Sequence, residues 1–220
     1  MDVKEAIDRR RAYRSLEAVE INEEMVNDLA AAAHKAPSCF NNQPWRFVFV
    51  YDADQLERMH AALSKGNVWA KAASMMIVVL SKPDLDCQPK DRDYNMFDTG
   101  MATAFLMLRA TETGLVAHPT AGYKPAVVRE VLGIPEEFTV VTVIHVGRPS
   151  TGSLDHLEDW QRERERGPRI RRPLGTVAHH NRYDASKEPE DHKDKGSEFG
   201  WPRGEWLDLE MDWPDEALHD

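Results

Sequence analysis

Two hydrophobic patterns alternate along this chain: apolar residues recurring every three or four positions, and short runs that are apolar almost throughout. The first predicts helices packed by one face, the second buried strands. Residues 3–11 predict a short helix with Val3, Ala6 and Ile7 turned inward. "INEEMVNDLAAAAHKAP" predicts a second helix, with Asn22 as cap, Glu23 and Glu24 in the first turn and Pro37 as stop. "RFVFVY" predicts a strand, "DADQLERMHAALSKG" a capped helix ending at Gly66, and "SMMIVVLS" a second strand.

The longest helical segment is "YNMFDTGMATAFLMLRATETG", in which Met96, Phe97, Gly100, Met101, Ala104, Phe105, Met107 and Leu108 cover almost every face. A helix apolar all round is either central to the core or shared with a partner chain. Gly114 offers its stop, and "KPAVVREVLG" predicts a short helix closed by Gly133. "FTVVTVIHVG" is the strongest strand pattern. The order helix-helix-strand-helix-strand-helix-helix-strand predicts an α+β fold around a small central sheet.

After Gly147 the pattern weakens into a turn, "RPSTGS", a charged helix, "LDHLEDWQRERERG", and a basic, proline-punctuated stretch, "PRIRRPLGTVAHHNRY". Of the chain's 28 basic and 38 acidic residues, 4 and 13 fall in residues 184–220. The net charge of -10 therefore belongs almost wholly to that tail. The shift predicts a main domain over 1–183 and an acidic extension over 184–220. Phe199, Trp201, Trp206 and Trp213 in the extension predict a segment that packs on the body; the alternative is a loose, partner-binding arm. An acidic protein is a poor partner for nucleic acid. Two cysteines, Cys39 and Cys87, make no disulfide framework and predict a reducing compartment. No apolar run approaches the ~18 residues of a membrane span, and the start lacks a signal-like apolar stretch. The expected location is cytoplasmic.

The common chemical signatures G-x-G-x-x-G, H-E-x-x-H, C-x-x-C and G-x-S-x-G are missing, and no metal site is expected. Two other stretches carry chemistry. "RRRAYRS" places four arginines within six residues, a grip for an anion or else a solvated helix end. "APSCFNNQPW" combines Cys39 with Asn41, Asn42 and Gln43. It is open to three readings: a plain turn, a neutral hydrogen-bonding cradle for a heterocycle, or a cysteine nucleophile that lacks a local base.

In order and spacing, these two stretches resemble the FMN-dependent nitroreductase family, whose patterns are R-R-S-x-R and A-P-S-x-x-N-x-Q-P-W. "DTGMATAFLMLRATETGL", "HPTAGYKPAVVREVLGIPEE", "VIHVGRP" and "RIRRPL" are similar to further family segments, so that the resemblance covers about residues 1–183. It implies a small, mainly antiparallel sheet surrounded by helices in an intertwined homodimer, with FMN at the subunit interface. It implies that Arg10, Arg11, Ala12 and Arg14 hold the phosphate and ribityl chain, with Ala12 in place of the usual Ser and Arg14 near the pyrimidine edge. Arg169 and Arg171 match a late basic pair that closes on the phosphate. Pro37, Ser38, Cys39, Asn41 and Gln43 match a turn that reaches the flavin from the other subunit. Pro119, Thr120, Ala121 and Gly122 match the loop against the ring, with the Ala121 N–H toward N5 and Ala where many relatives carry Glu. Asn67 matches a ring contact. The implied activity is ping-pong hydride transfer from NADH or NADPH to nitroaromatics, quinones or similar electron-poor molecules. The flavin carries the chemistry, and no side chain is required as acid or base. The alternatives are a specialised relative (reductive dehalogenation, flavin fragmentation or dehydrogenation) and a non-catalytic flavin-binding protein with a partner-binding tail.

Overall fold

The computed structural model describes residues 1–188; the tail residues Phe199, Trp201, Trp206 and Trp213 lie outside them. The chain divides into two compact units, Met1–Glu165 and Arg166–Asp220. The first carries α1 (Val3–Arg9), β1 (Leu16–Glu17), α2 (Glu23–His34), β2 (Arg46–Val50), α3 (Ala53–Met59), β3 (Met75–Ser81), α4 (Tyr94–Glu112), β4 (Val116–Thr120), α5 (Pro125–Leu132) and β5 (Thr139–Pro149), and α6 (Asp159–Arg166) spans the division. In the second unit, the described residues form α7 (Leu174–Val177) and a 3-10 turn over Ala185–Lys187, with the Tyr183 hydroxyl bonded to Glu188 at 2.7 Å.

The fold is α+β with an antiparallel sheet. β5 is its centre: β3 pairs with one side of it, β2 with β3, and β4 and β1 both pair with β5. β3 is buried at every residue because both faces of the sheet are covered. Its odd-numbered side chains, Met75, Ile77 and Val79, pack in one core with Leu29 of α2 and Ala102, Leu106 and Ala110 of α4. Its even-numbered side chains, Met76, Val78 and Leu80, pack in a second core with Met59 of α3 and Val128 of α5. That alternation is the two-residue period of a strand resolved into two layers.

Helix ends follow the sequence chemistry. The Asn22 side chain accepts the Met25 N–H at 2.9 Å, the expected cap of α2. At the end of α4, Gly114 is left-handed at φ 79°, the Leu115 N–H bonds to Ala110 O at 2.8 Å and the Gly114 N–H to Thr111 O at 3.1 Å. This is a Schellman closure, and it satisfies two otherwise orphaned carbonyls.

Several expectations are corrected. The first helix stops at Arg9, and Val3 and Ile7 are 72% and 52% exposed while Ala6 alone of the three is buried. The helix predicted to reach Gly66 ends at Met59 and continues as 3-10 turns over His60–Ala62 and Lys65–Ala72. β4 was unexpected: its "VAHPT" has no alternation and contains Pro119. Proline lacks an N–H, and it is tolerated because β4 lies at an edge, paired only with β5 among the described residues. α4 is not apolar on its inner face, where Asn95, Asp98, Thr99 and Thr103 are buried beside Ala102 and Leu106. The apolar side chains Phe97 and Phe105 instead face outward, 61% and 41% exposed.

Candidate functional site

The arginine segment leaves α1 as irregular chain and is fixed from beneath by α6. Glu165 is buried, and its carboxylate accepts the Arg14 N–H at 2.8 and 3.1 Å and the Ser15 N–H at 2.7 Å. Glu165 and Gln161, also buried, share one face of α6 at i and i+4, so this strongly charged helix still turns two polar residues inward. The Arg11 guanidinium donates to Arg164 O at 2.8 Å. The Arg14 guanidinium lies 5.0 Å from the Trp160 ring centre, with Arg164 at 5.4 Å from the same ring. Burial lowers the pKa of Arg14, with Arg164 acting in the same direction and Glu165 opposing them. Two cations on one aromatic platform, beside a carboxylate already engaged by backbone donors, leave positive potential for an anion.

The same segment is joined to the end of β4. His118 Nδ1 lies 2.9 Å from Tyr13 O. A carbonyl only accepts, so the neutral imidazole carries its proton on Nδ1. Burial chiefly holds His118 neutral, with its pKa lowered to about 4; Arg14 and Arg10 push the same way against the Tyr13 hydrogen bond. The His118 ring stacks on Trp69 at 4.6 Å, Trp69 Nε1 donates to Asn67 Oδ1 at 3.2 Å, and Asn67 Nδ2 donates to Gly122 O at 2.9 Å. Beneath them, His145 Nε2 lies 3.0 Å from Thr120 Oγ1, and burial lowers the His145 pKa to about 3. Arg10, Arg14, Pro119, Thr120, Ala121 and Gly122 are therefore organised by one connected set of side chains. Asn67 serves it by holding Gly122, since both ends of its amide are engaged within the chain. A Cβ at Gly122 would come within 2.5 Å of Asn67 Nδ2 and of Ser64 Oγ, so a larger residue there would have to displace those side chains.

The turn 36–45 is built differently. Phe40, Asn41 and Gln43 take φ of 48°, 58° and 52°, a left-handed region costly for residues with side chains. The turn is held by the Gln43 N–H to Ser38 Oγ at 2.9 Å, the Asn41 N–H to Ser38 O at 3.0 Å, Gln43 Nε2 to Asn41 O at 2.9 Å, and the Cys39 N–H to Asp98 Oδ2 at 2.6 Å. Phe40 stands 93% exposed at its tip. Cys39 is bonded to Cys87, with their Cα atoms 6.1 Å apart. The expectation of no disulfide is thus corrected: the partners are 48 residues apart and meet only because the turn folds against the segment before α4. A sulfur in a disulfide is no nucleophile, which removes that reading of Cys39. Asp86 accepts the Cys87 N–H at 2.8 Å and Asn42 Nδ2 at 3.2 Å through Oδ1, while its buried Oδ2 meets no donor. The neighbouring Asp98 carboxyl has its pKa raised, first by burial and then by Asp86, against the Cys39 hydrogen bond.

The two halves lie apart within one chain. Pro44 O accepts from Ser81 Oγ at 3.0 Å, at the far end of β3, whereas His118 pairs across β5 to the level of Met76. Five residues along the strand and two strand spacings across it give a separation of about 20 Å. Arg169 and Arg171 lie in the second unit, exposed in the irregular stretch before α7, with the Arg171 guanidinium donating to Ile170 O at 2.8 Å. Sequence reasoning missed Glu165, Trp160, His118, Trp69, Asp98 and Cys87. Asp98 and His118 open two of the segments quoted for the resemblance but were given no role there, and each of the six is recruited by tertiary contact.

The Nitroreductase family model matches residues 7–68 and 61–148. The chain is 34% identical over 146 residues to a protein of Archaeoglobus fulgidus provisionally named NADH dehydrogenase/NAD(P)H nitroreductase, covering 64% of this chain and 81% of that one. A protein of Methanothermobacter thermautotrophicus with the same name is 30% identical, covering 73% and 88%. Among solved structures, an oxidoreductase described as containing FMN superposes with a TM-score of 0.71 at 30% identity, covering 84% of this chain and 94% of that one. A family model that matches most of residues 7–148, and a relative 30% identical over 73% of the chain, show that the chain belongs to the nitroreductase family.

Proposed function

We propose that the protein is an FMN-dependent oxidoreductase that takes electrons from NADH or NADPH and passes them to nitroaromatic, quinone or similar electron-poor small molecules. The observation that carries this proposal is the joining of the arginine segment to the end of β4 through His118 and Tyr13. The donor set fits the cofactor: Arg10, Arg11 and Arg14 lie in one short segment whose backbone N–H groups at Arg14 and Ser15 are held by the buried Glu165 carboxylate. These arginines would hold the phosphate and ribityl chain. Residues 119–122 would lie against the ring, with the Ala121 N–H toward N5 and the uncharged Ala121 side chain leaving the open face free. FMN, when bound, supplies a ring that accepts hydride from a nicotinamide and releases electrons to the second substrate in turn. Arg14 would supply positive charge to the bound ring system, an electrostatic role of the oxyanion-hole kind.

The working form is a homodimer. Residues 37–43 stand about 20 Å from the arginine segment of the same chain, so their flavin contacts go to the site of a second copy. Phe97, Ala104, Phe105 and Leu108 form an i, i+7, i+8, i+11 stripe on the outer side of α4, the kind of face a second copy would cover. Anaerobic titration of the FMN-loaded protein tests the function. Stoichiometric bleaching of the yellow absorbance by NADH or NADPH, reversed by a quinone, is expected. A protein that binds FMN and stays yellow with both nicotinamides contradicts it.

A further inference from the structure

We propose that Cys39 and Cys87 form a redox-active thiol–disulfide exchange site for external dithiols, with Asp86, in contact with Asp98, as its proton carrier. The bond joins two elements that otherwise meet through the Asn42 amide on Asp86 and Cys87. Cys39 lies in the left-handed turn, Cys87 in the irregular segment before α4, and both are only half-buried. They are the only cysteines of the chain, so no other thiol competes for either sulfur.

Three features distinguish this bond from an inert staple. A carboxylate oxygen of Asp86 lies within 4.8 Å of both sulfurs. Asp86 Oδ2 is buried and meets no donor, and the Asp86 and Asp98 carboxyl groups lie beside one another. Two carboxylates are acceptors only, so the contact is a hydrogen bond when one of them carries a proton. A proton taken up between the two carboxyl groups would therefore lie next to the bond. Asn42 Nδ2, finally, lies 3.7 Å from Cys87 Sγ, an N–H aimed at the sulfur on which charge would develop.

The chemistry balances as an exchange. The thiolate of an external dithiol attacks Cys39 Sγ, a mixed disulfide forms and the Cys39–Cys87 bond breaks. Cys87 leaves as a thiolate, supported by the Asn42 amide, and takes the proton from the carboxyl pair. The second thiol of the reagent then closes its own ring, returns a proton to the pair and releases Cys39 as a thiolate that takes a proton from solvent. The dithiol is oxidised, and the chain gains two thiols. Phe40, Asn41 and Gln43 then keep their left-handed conformation by hydrogen bonds alone, so the shape of the turn responds to thiol redox state.

The test uses the full chain in graded mixtures of reduced and oxidised dithiothreitol, read by alkylation and mass spectrometry. Cys39 and Cys87 should appear as thiols together, at one midpoint, reversibly and in folded protein, and amide exchange over residues 38–43 should rise about tenfold on reduction. Asp86→Asn should slow reduction about tenfold, and added acetic acid buffer should restore the rate, which a purely structural role would not allow. Free thiols in protein purified without reductant overturn the proposal, as does a disulfide reducible only in denaturant. An Asp86→Asn protein that is reduced at the wild-type rate removes Asp86 from the mechanism. The consequence for the cofactor rests on the function proposed above: the reduced protein should bind FMN about tenfold more weakly as the turn loosens. A chain that titrates its thiols as described but binds no FMN in either state sinks that function and leaves the exchange site standing.

Discussion

Replacing Glu165 should loosen the arginine segment without touching a ligand. Its carboxylate is the acceptor for the N–H groups of Arg14 and Ser15, at 2.7 to 3.1 Å, and Ser15 is fully buried. Glu165→Ala strands two donors. Hydrogen bonds to a charged acceptor contribute about 1.5–3 kcal/mol each, and an unsatisfied buried donor costs about 1–3 kcal/mol. Relief of burying the carboxylate offsets part of that loss. The net expectation is a destabilisation of about 3 kcal/mol, which for a chain of this size lowers Tm by about 6–12 °C. Glu165→Gln keeps one acceptor oxygen and should fall between wild type and Ala. The assay is urea unfolding and thermal melting of all three proteins at two salt concentrations. Because the bonds are buried, the difference should persist in high salt. An alanine variant within about 0.5 kcal/mol of wild type, the range of an ordinary surface change, would refute the assigned role.

Gly122→Ala should cost about 1–3 kcal/mol, measured by melting, because its Cβ would come within 2.5 Å of Asn67 Nδ2 and Ser64 Oγ and push residues 119–122 outward. His118 and His145 are held neutral by burial, with pKa values lowered to about 4 and about 3. Below pH ~6.5 the unfolded chain binds protons that the folded chain refuses, so their contribution is complete above that pH and is lost as pH falls toward 4 and 3. Where both histidines are protonated only in the unfolded chain, the slope approaches about 2.7 kcal/mol per pH unit. Unfolding by urea across pH 7 to 4.5 should show it, and the His145→Phe variant should show a shallower dependence. Asp98→Asn should be neutral or stabilising at pH 7 by up to about 1 kcal/mol. The amide can donate to Asp86 Oδ2 and still accept from the Cys39 N–H; a loss of several kcal/mol in denaturant titration would contradict the shared-proton contact.

The elements most legible in the sequence are those whose pattern is dictated by burial on both sides. "SMMIVVLS" and "FTVVTVIHVG" became β3 and β5, and Asn22, Gly114 and Gly133 ended helices where backbone chemistry required. The arginine segment was visible as a charge cluster, but on its own it read equally as an anion grip or a solvated helix end. What stayed hidden depends on distant partners. β4 was hidden by Pro119, which only an edge position excuses. The disulfide joins residues 48 apart, so no local spacing announces it. Glu165 lies in a run of charges that reads as a solvated helix, and its burial follows from two backbone N–H groups 151 and 150 positions away. The inner face of α4 was misjudged for the same reason, since Asn95 and Asp98 are buried to serve Ser81 and Cys39 rather than to fill a core.

The most direct measurement is an equilibrium titration of the protein and its Arg14→Ala variant with FMN, followed by quenching of flavin fluorescence. The account predicts one FMN per chain in the wild type. It also predicts an affinity about tenfold to a hundredfold weaker in the variant, from the loss of charge-assisted hydrogen bonds worth about 1.5–3 kcal/mol. A wild-type protein that does not bind FMN, or a variant that binds it equally well, would contradict the assignment of the arginine segment as the cofactor's anchor.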